Sequence, residues 1–181
     1  MKFISIKGLM FVALLLYVNG SVLAGADEDY GPVVHPTLEL YERDAADECV
    51  ADTTQIRVTA HNIHAEGILK LELYNSKDGF LYKKGRLHRV RVEAKDSPMV
   101  VCINVPKAGM YAVAGYHDLD GNRKLKQKWD FTPKEPYGLS NNPEYKKKLP
   151  KFNDAAFNVG EKGTDIEIFF QKVGKSKKKK S

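Results

Sequence analysis

The sequence contains little cysteine and lacks the common catalytic motifs. Only two of its 181 residues are cysteines, and they do not form a Cys-x-x-Cys pair, so thioredoxin-like redox catalysis is not expected. No serine lies in a Gly-x-Ser-x-Gly elbow, and no glycine-rich phosphate loop follows a predicted strand. A triad assembled from distant positions would leave no local motif. We therefore expect a non-catalytic protein. A hydrolase ranks third, after the two binding functions given at the end of this section.

Long apolar runs are also scarce, because only the N-terminus contains one. Two lysines precede the apolar stretch from Leu9 to Val18, and small residues follow at Val22-Leu23-Ala24. This order is typical of a secretory signal peptide over residues 1–24, and the run is shorter than the roughly 20 residues that a membrane span needs. We expect cleavage after Ala24, or alternatively after Ala26, and a periplasmic or secreted mature protein.

Export bears on the two cysteines, Cys49 and Cys102. An exported protein meets an oxidising environment, where a cysteine pair most simply forms a disulfide. Two cysteines allow only one intramolecular pairing. On the chain-entropy model, closing a loop of this length contributes about 4 kcal/mol to the free energy of unfolding.

Basic charge is concentrated in the C-terminal tail. The chain has 29 Lys and Arg against 23 Asp and Glu. Removing residues 1–24 takes away two lysines and no acids, and the tail over 174–181 holds five more lysines, so the remaining part has a net charge near −1. This balance disfavours nucleic acid binding. We expect a disordered tail that either contacts an anionic membrane surface or only aids solubility; its lysines are Lys175, Lys177, Lys178, Lys179 and Lys180.

Alternating apolar and polar residues predict six β-strands. Clusters of Gly, Pro, Asn and Asp separate them, and no helical period longer than two turns is present. The pattern predicts an all-β fold, a single antiparallel β-sandwich of immunoglobulin-like or transthyretin-like type over 49–173, preceded by a loose segment over 25–48. A small barrel is the alternative. The predicted strands lie in TQIRVTAHNI, GILKLELYNS, HRVRVEA, MVVCINV, GMYAVAGYHD and TDIEIFFQK.

The stretch YHDLDGN contains a candidate metal site. Asp118, Asp120 and Asn122 place oxygen atoms at alternating positions, as calcium loops do. The pattern is incomplete, because the sixth and twelfth positions lack the Gly and Glu of an EF-hand loop. The alternative is a tight turn in which Asp and Asn side chains bond backbone amides and Gly121 has a positive φ. We expect no required cofactor, with calcium as an optional ligand.

A polar, proline-rich loop region follows between Asn122 and Asn158. Loops of this length are usually functional or contain short structure of their own. Aromatic residues cluster in and beside it, and aromatic faces with nearby amides can form a ligand or carbohydrate surface. Core packing is the alternative explanation. The candidate surface residues are His117, Trp129, Tyr137, Asn141 and Asn142.

The order of these motifs resembles a known family. GMYAVAGYHDLDGN over 109–122 is followed by PYGLSNNP over 136–143. With the flanking strands from about Cys49 to Phe170, this succession resembles the bacterial DUF2141 family of exported proteins of unknown function. Lys126 stands where that family often has Asp, which weakens a metal site. The resemblance implies a secreted or periplasmic β-sandwich from a Gram-negative source, with paired cysteines in a subgroup, and no activity.

The sequence therefore predicts a monomeric, exported, non-catalytic binding or accessory module of the cell envelope. Its partner would be an envelope protein or a glycan. The alternative is a calcium-stabilised domain that binds a carbohydrate or small ligand through residues 117–142.

Overall fold

The computed structural model describes residues 33–128, 132–144 and 148–172. Within these ranges all six predicted strands are present, and no helix there is long and apolar enough to cross a membrane. The strands are β1 (Val33–His35), β2 (Leu40–Tyr41), β3 (Gln55–His61), β4 (Ile68–Tyr74), β5 (His88–Glu93), β6 (Met99–Asn104), β7 (Gly109–Asp118), β8 (Tyr137–Leu139), β9 (Phe157–Val159) and β10 (Thr164–Phe169). A short helix, α1, is Phe152–Ala155, and 3-10 turns lie at Pro36–Leu38, Glu42–Asp44 and Lys83–Gly85.

Two sheets form the predicted β-sandwich. The first has the strand order β10-β3-β6, and the second has the order β5-β4-β7-β8, with β9 also pairing with β7. The described pairs are antiparallel with one exception. Strand β10 runs parallel to β3, with Ile166 opposite Val58. This pair departs from the purely antiparallel prediction because the chain crosses over from β9 and enters the first sheet at the same end as β3.

The core lies between the two sheets and follows the alternation of the sequence. Every second side chain of β3 and β4 is buried, because successive residues of a strand point to opposite faces. The intervening Lys70 and Glu72 are half-buried on the outer face of the second sheet. The inward set includes Ile56, Val58, Ala60, Leu69, Leu71 and Leu73.

Strand β7 is buried on both faces. Val113 packs in the core between the sheets, whereas Ala112 and Ala114 contact a second apolar cluster that contains Tyr74 and Phe80. Helix α1 contributes to this second cluster. Burial on both sides explains why the β7 sequence has no charge before its last residue.

The predicted disulfide joins Cys49 to Cys102 in β6, with a Cα–Cα distance of 5.3 Å. Beside it, the backbone N–H of Asp47 donates to the carbonyl oxygen of Cys102 at 3.0 Å. The disulfide prediction is confirmed, and the chain before β3 is anchored to the middle of the first sheet's edge strand.

Residues 40–48 are more ordered than the loose segment that we expected. They pack against β5, where Asp44 accepts hydrogen bonds from Arg89 Nη2 at 2.9 Å and Arg91 Nη1 at 2.6 Å. Asp44 is only 3% exposed. Burial alone would raise the pKa of Asp44, but the hydrogen bonds and charges of the two arginines outweigh it and lower that pKa. A buried ion cluster thus holds this segment on the second sheet.

Candidate functional site

Strand β7 ends at Asp118, where the chain turns sharply. The Oδ2 atom of Asp118 accepts a hydrogen bond from the backbone N–H of Arg123 at 2.6 Å. Gly121 has a φ of 64°, and the Asp120 carboxylate accepts hydrogen bonds from the backbone and side-chain N–H groups of Asn122. This geometry is the tight turn that the Asp, Gly and Asn residues suggested.

A third carboxylate, from Glu135, lies beside this turn. Glu135 is 5% exposed and comes shortly before β8. Because β8 pairs with β7, and the N–H of His117 donates to the carbonyl oxygen of Pro136 at 2.8 Å, Glu135 is held next to the end of β7. One oxygen from each of Asp118, Asp120 and Glu135 lies within 4.8 Å of the other two. We call these three residues the carboxylate cluster.

The electrostatics of the carboxylate cluster are uneven. Burial, reinforced by Asp120, raises the pKa of Asp118, and burial with the nearby charges of both aspartates raises the pKa of Glu135. The exposed Asp120 differs, because a hydrogen bond from Lys126 lowers its pKa. The backbone N–H of Lys126 also donates to Glu135 Oε2 at 3.2 Å. The buried Oδ1 of Asp118 has no hydrogen-bond partner in the described residues.

An open cleft of about 420 Å³ lies at the same end of the sandwich. Strands β3, β7 and β10 end here, and β8 begins here. Tyr137 and Gln171 exchange two backbone hydrogen bonds of 3.1 and 3.0 Å, which fix one wall. We call this concavity the loop-end cleft; its lining consists of Asn62, His64, Leu119, Pro136, Phe170, Gln171 and Lys172.

A family model described as an uncharacterized protein conserved in bacteria, DUF2141, matches residues 57–167. The chain belongs to the DUF2141 family. The match begins in β3 and ends in β10, so it includes the core strands of both sheets and the whole carboxylate cluster. No curated protein and no solved structure matches the chain. The resemblance inferred from the motifs is therefore confirmed.

Among the predicted surface residues of this DUF2141 protein, His117 is fully buried. Its Nε2 donates to the carbonyl oxygen of Glu66 at 2.7 Å, and its ring centroid lies 6.4 Å from that of His64. Burial lowers the pKa of His117. The neutral ring therefore connects the end of β7 to the β3–β4 loop.

The amide side chains of the second motif bond to the backbone. Asn141 donates to the carbonyl oxygen of Ala156 at 2.7 Å. Asn142 donates to Glu167 and accepts from the N–H of Phe169, both at 2.8 Å. These contacts place the two residues near α1 and β10 rather than in the lining of the loop-end cleft, so their role as ligand groups stays a prediction.

The remaining predicted residues divide into two groups. Tyr137 is half-buried beside the cleft, and Asn122 uses its amide within the turn, where its Oδ1 accepts the N–H of Lys124 at 2.8 Å. Trp129 and the lysine tail lie outside the described residues. Glu135 was not identified from the sequence, because it lies 17 positions after Asp118 and no motif connects the two.

Proposed function

We propose that this DUF2141 protein is an exported, non-catalytic binding module of the cell envelope, and that its binding site is the loop-end cleft. The observation that carries the proposal is the cleft itself. It has a buried apolar base and an exposed polar rim, which is the usual composition of a small-ligand site. Four separate parts of the chain form it, and backbone hydrogen bonds hold them in place.

The lining favours a small polar ligand such as a sugar unit of an envelope glycan. Asn62 and Gln171 offer amide groups that both donate and accept hydrogen bonds, as sugar hydroxyls require. Leu119 and Pro136 supply apolar surface for the C–H face of a ring. His64 and Lys172 add donors at the rim, which would favour a sugar that carries a carboxylate.

Two further observations support the non-catalytic part of the proposal. The hydroxyl of Ser140 is fully buried, donates to the carbonyl oxygen of Ala155 at 2.5 Å and accepts the N–H of Val113 at 3.0 Å. The ring of His117 is likewise bonded to a backbone carbonyl. Both side chains thus have structural hydrogen bonds in place of a nucleophile–base contact.

Export is supported by the leader-like N-terminus together with the disulfide, since disulfides persist mainly in oxidising compartments. Expression of the full chain in a bacterial host, followed by fractionation and intact mass measurement, tests this part. We expect periplasmic or secreted protein that begins at residue 25 or 27 and is two hydrogen atoms lighter than the reduced form. Reduced, full-length protein in the cytoplasm would contradict it.

Ligand binding is tested by NMR. A ¹⁵N-labelled oxidised mature chain is titrated with a panel of soluble sugars that includes N-acetylglucosamine and N-acetylmuramic acid. We expect saturable shifts confined to residues of the loop-end cleft, and loss of at least tenfold in affinity in Gln171→Ala and His64→Ala. The matched control is Asn75→Ala, which removes an exposed amide elsewhere. Shifts that are equal in all three variants, or no shifts with any sugar, would refute the cleft as a glycan site.

A further inference from the structure

The buried carboxylate of Asp118 is incompletely satisfied. Its side chain is almost fully buried, and Oδ1 has no hydrogen-bond partner among the described residues. Asp44 differs from Asp118. It is also buried, but both of its carboxylate oxygens accept hydrogen bonds from Arg89 and Arg91. A buried ionised oxygen without a partner destabilises the folded state. A cation bound by Asp118 would supply the missing partner and so stabilise the folded state.

The carboxylate cluster has the dimensions of a calcium site. Its three oxygens come from the end of β7, from the following turn and from the residue pair before β8, and no two are more than 4.8 Å apart. Ligands on opposite sides of a calcium ion, each about 2.4 Å away, are separated by about 4.8 Å, so three oxygens this close together can all bind one ion. Calcium also tolerates irregular ligand geometry, whereas magnesium demands a near-ideal octahedron. An all-carboxylate set also favours a hard cation over zinc or copper.

The charge balance fits a divalent ion. When ionised, the three carboxylates carry three negative charges, and the ammonium group of Lys126 bonded to Asp120 Oδ2 offsets one of them. Lys126 is about half-exposed, with 52% of its side chain accessible, so it can turn away into solvent. The Asp118 oxygen without a partner is not the atom that Lys126 contacts.

We propose that Asp118, Asp120 and Glu135 bind a single calcium ion. Water molecules complete its coordination, as is common where a protein supplies few ligands. The ion joins the end of β7 to the segment before β8 and so fixes Leu119 and Pro136, which line the loop-end cleft. Calcium sites of extracellular modules have dissociation constants of about 0.1–1 mM, and we expect this range here. The site stands without the proposed ligand function, because ion binding is measured with no sugar present.

The test uses the oxidised mature chain after removal of metal with EDTA. Isothermal titration calorimetry with CaCl₂ should give one ion per chain, and magnesium should bind at least tenfold more weakly. At a hundredfold excess over the dissociation constant, calcium should raise the Tm by about 5–10 °C. Glu135→Gln and Asp118→Asn should lose this shift, whereas the matched exposed control Asp78→Asn should keep it.

Two variants distinguish loss of the site from loss of the fold. Asp118→Asn removes the buried charge but keeps an oxygen for the N–H of Arg123, so in EDTA its Tm should equal or exceed that of the unmodified chain. Lys126→Gln removes a competing cation and should tighten calcium binding by about three- to tenfold at low ionic strength. No heat and no Tm shift at 10 mM calcium would overturn the proposal. A shift that survives Glu135→Gln, or weaker binding in Lys126→Gln, would overturn the assigned residues.

Discussion

Replacing Asp44 by Asn removes the only negative charge from the buried ion cluster that it forms with Arg89 and Arg91. The three side chains are 4%, 10% and 7% exposed, so the arginines would be left without a counter-charge in a poorly hydrated place. Breaking a buried pair from one side costs about 3–5 kcal/mol. For a chain of this size, each kcal/mol shifts the Tm by about 2–4 °C, so we expect a decrease of about 10 °C.

Urea unfolding of the oxidised protein, followed by circular dichroism at pH 7, measures this loss. The control is Asp165→Asn, which breaks the exposed pair with Arg57 and should cost less than about 1 kcal/mol. A loss below about 1 kcal/mol at Asp44 would refute the assignment of the cluster as the anchor of residues 40–48.

The pH dependence provides a second check at Asp44. The pKa of this residue is lower in the folded state than in the unfolded chain, where it is about 3.9. The contribution of this ionised carboxylate to the free energy of unfolding is therefore fully present above about pH 5, and it is lost as the pH falls through the folded-state pKa. The difference in unfolding free energy between the unmodified chain and Asp44→Asn should be constant from pH 5 to 8 and should shrink in acid. A difference that grows toward low pH would contradict the sign of the shift.

Three further predictions concern the fold and the tail. Replacing both cysteines by serine should cost about 4 kcal/mol in urea unfolding, since the disulfide spans 53 residues; a loss below 1 kcal/mol would contradict the chain-entropy estimate. By the same assay, Gly115→Ala should cost at least about 2 kcal/mol of unfolding free energy, because a Cβ there would lie 2.5 Å from the carbonyl oxygen of Lys70. Gly160→Ala should be nearly neutral, because the atom nearest to its Cβ would be 3.8 Å away. Equal losses in the two variants would contradict this prediction. Deleting residues 174–181 should weaken cosedimentation with anionic lipid vesicles at least tenfold at low salt, and unchanged sedimentation would leave the tail as a solubilising segment.

Much of the fold could be predicted because strand alternation is local. Leu69, Leu71 and Leu73 share one face of β4 whatever their tertiary partners are, so the pattern indicates a half-buried strand directly. The strand β8 has only three residues and the helix α1 only four, too few for a detectable period. The parallel pairing of β10 with β3 also could not be predicted, because it depends on the path of the connection from β9 rather than on the composition of either strand.

The candidate site was predictable only where its residues are close in sequence. Asp118 and Asp120 lie in one turn, and the Gly and Asn beside them carry recognisable turn chemistry. Glu135 is brought next to these two residues by the pairing of β7 with β8, and such a pairing cannot be predicted from a local sequence pattern. His117 was a candidate ligand because it directly precedes the turn at residues 118–122, and the alternative was a structural, hydrogen-bonded histidine. The structure has the second arrangement, because the ring bonds to Glu66 in the β3–β4 loop.

The parallel β10–β3 pair determines when the sandwich can be completed during biogenesis. The partners Val58 and Ile166 are separated by most of the domain, so the first sheet stays two-stranded until nearly the whole chain has been synthesised. Before that moment β3 presents an open edge, which is a template for intermolecular pairing. A stalled or clipped chain that lacks β10 would therefore be prone to aggregation, and a chaperone that holds β3 until residue 169 emerges would suppress this outcome.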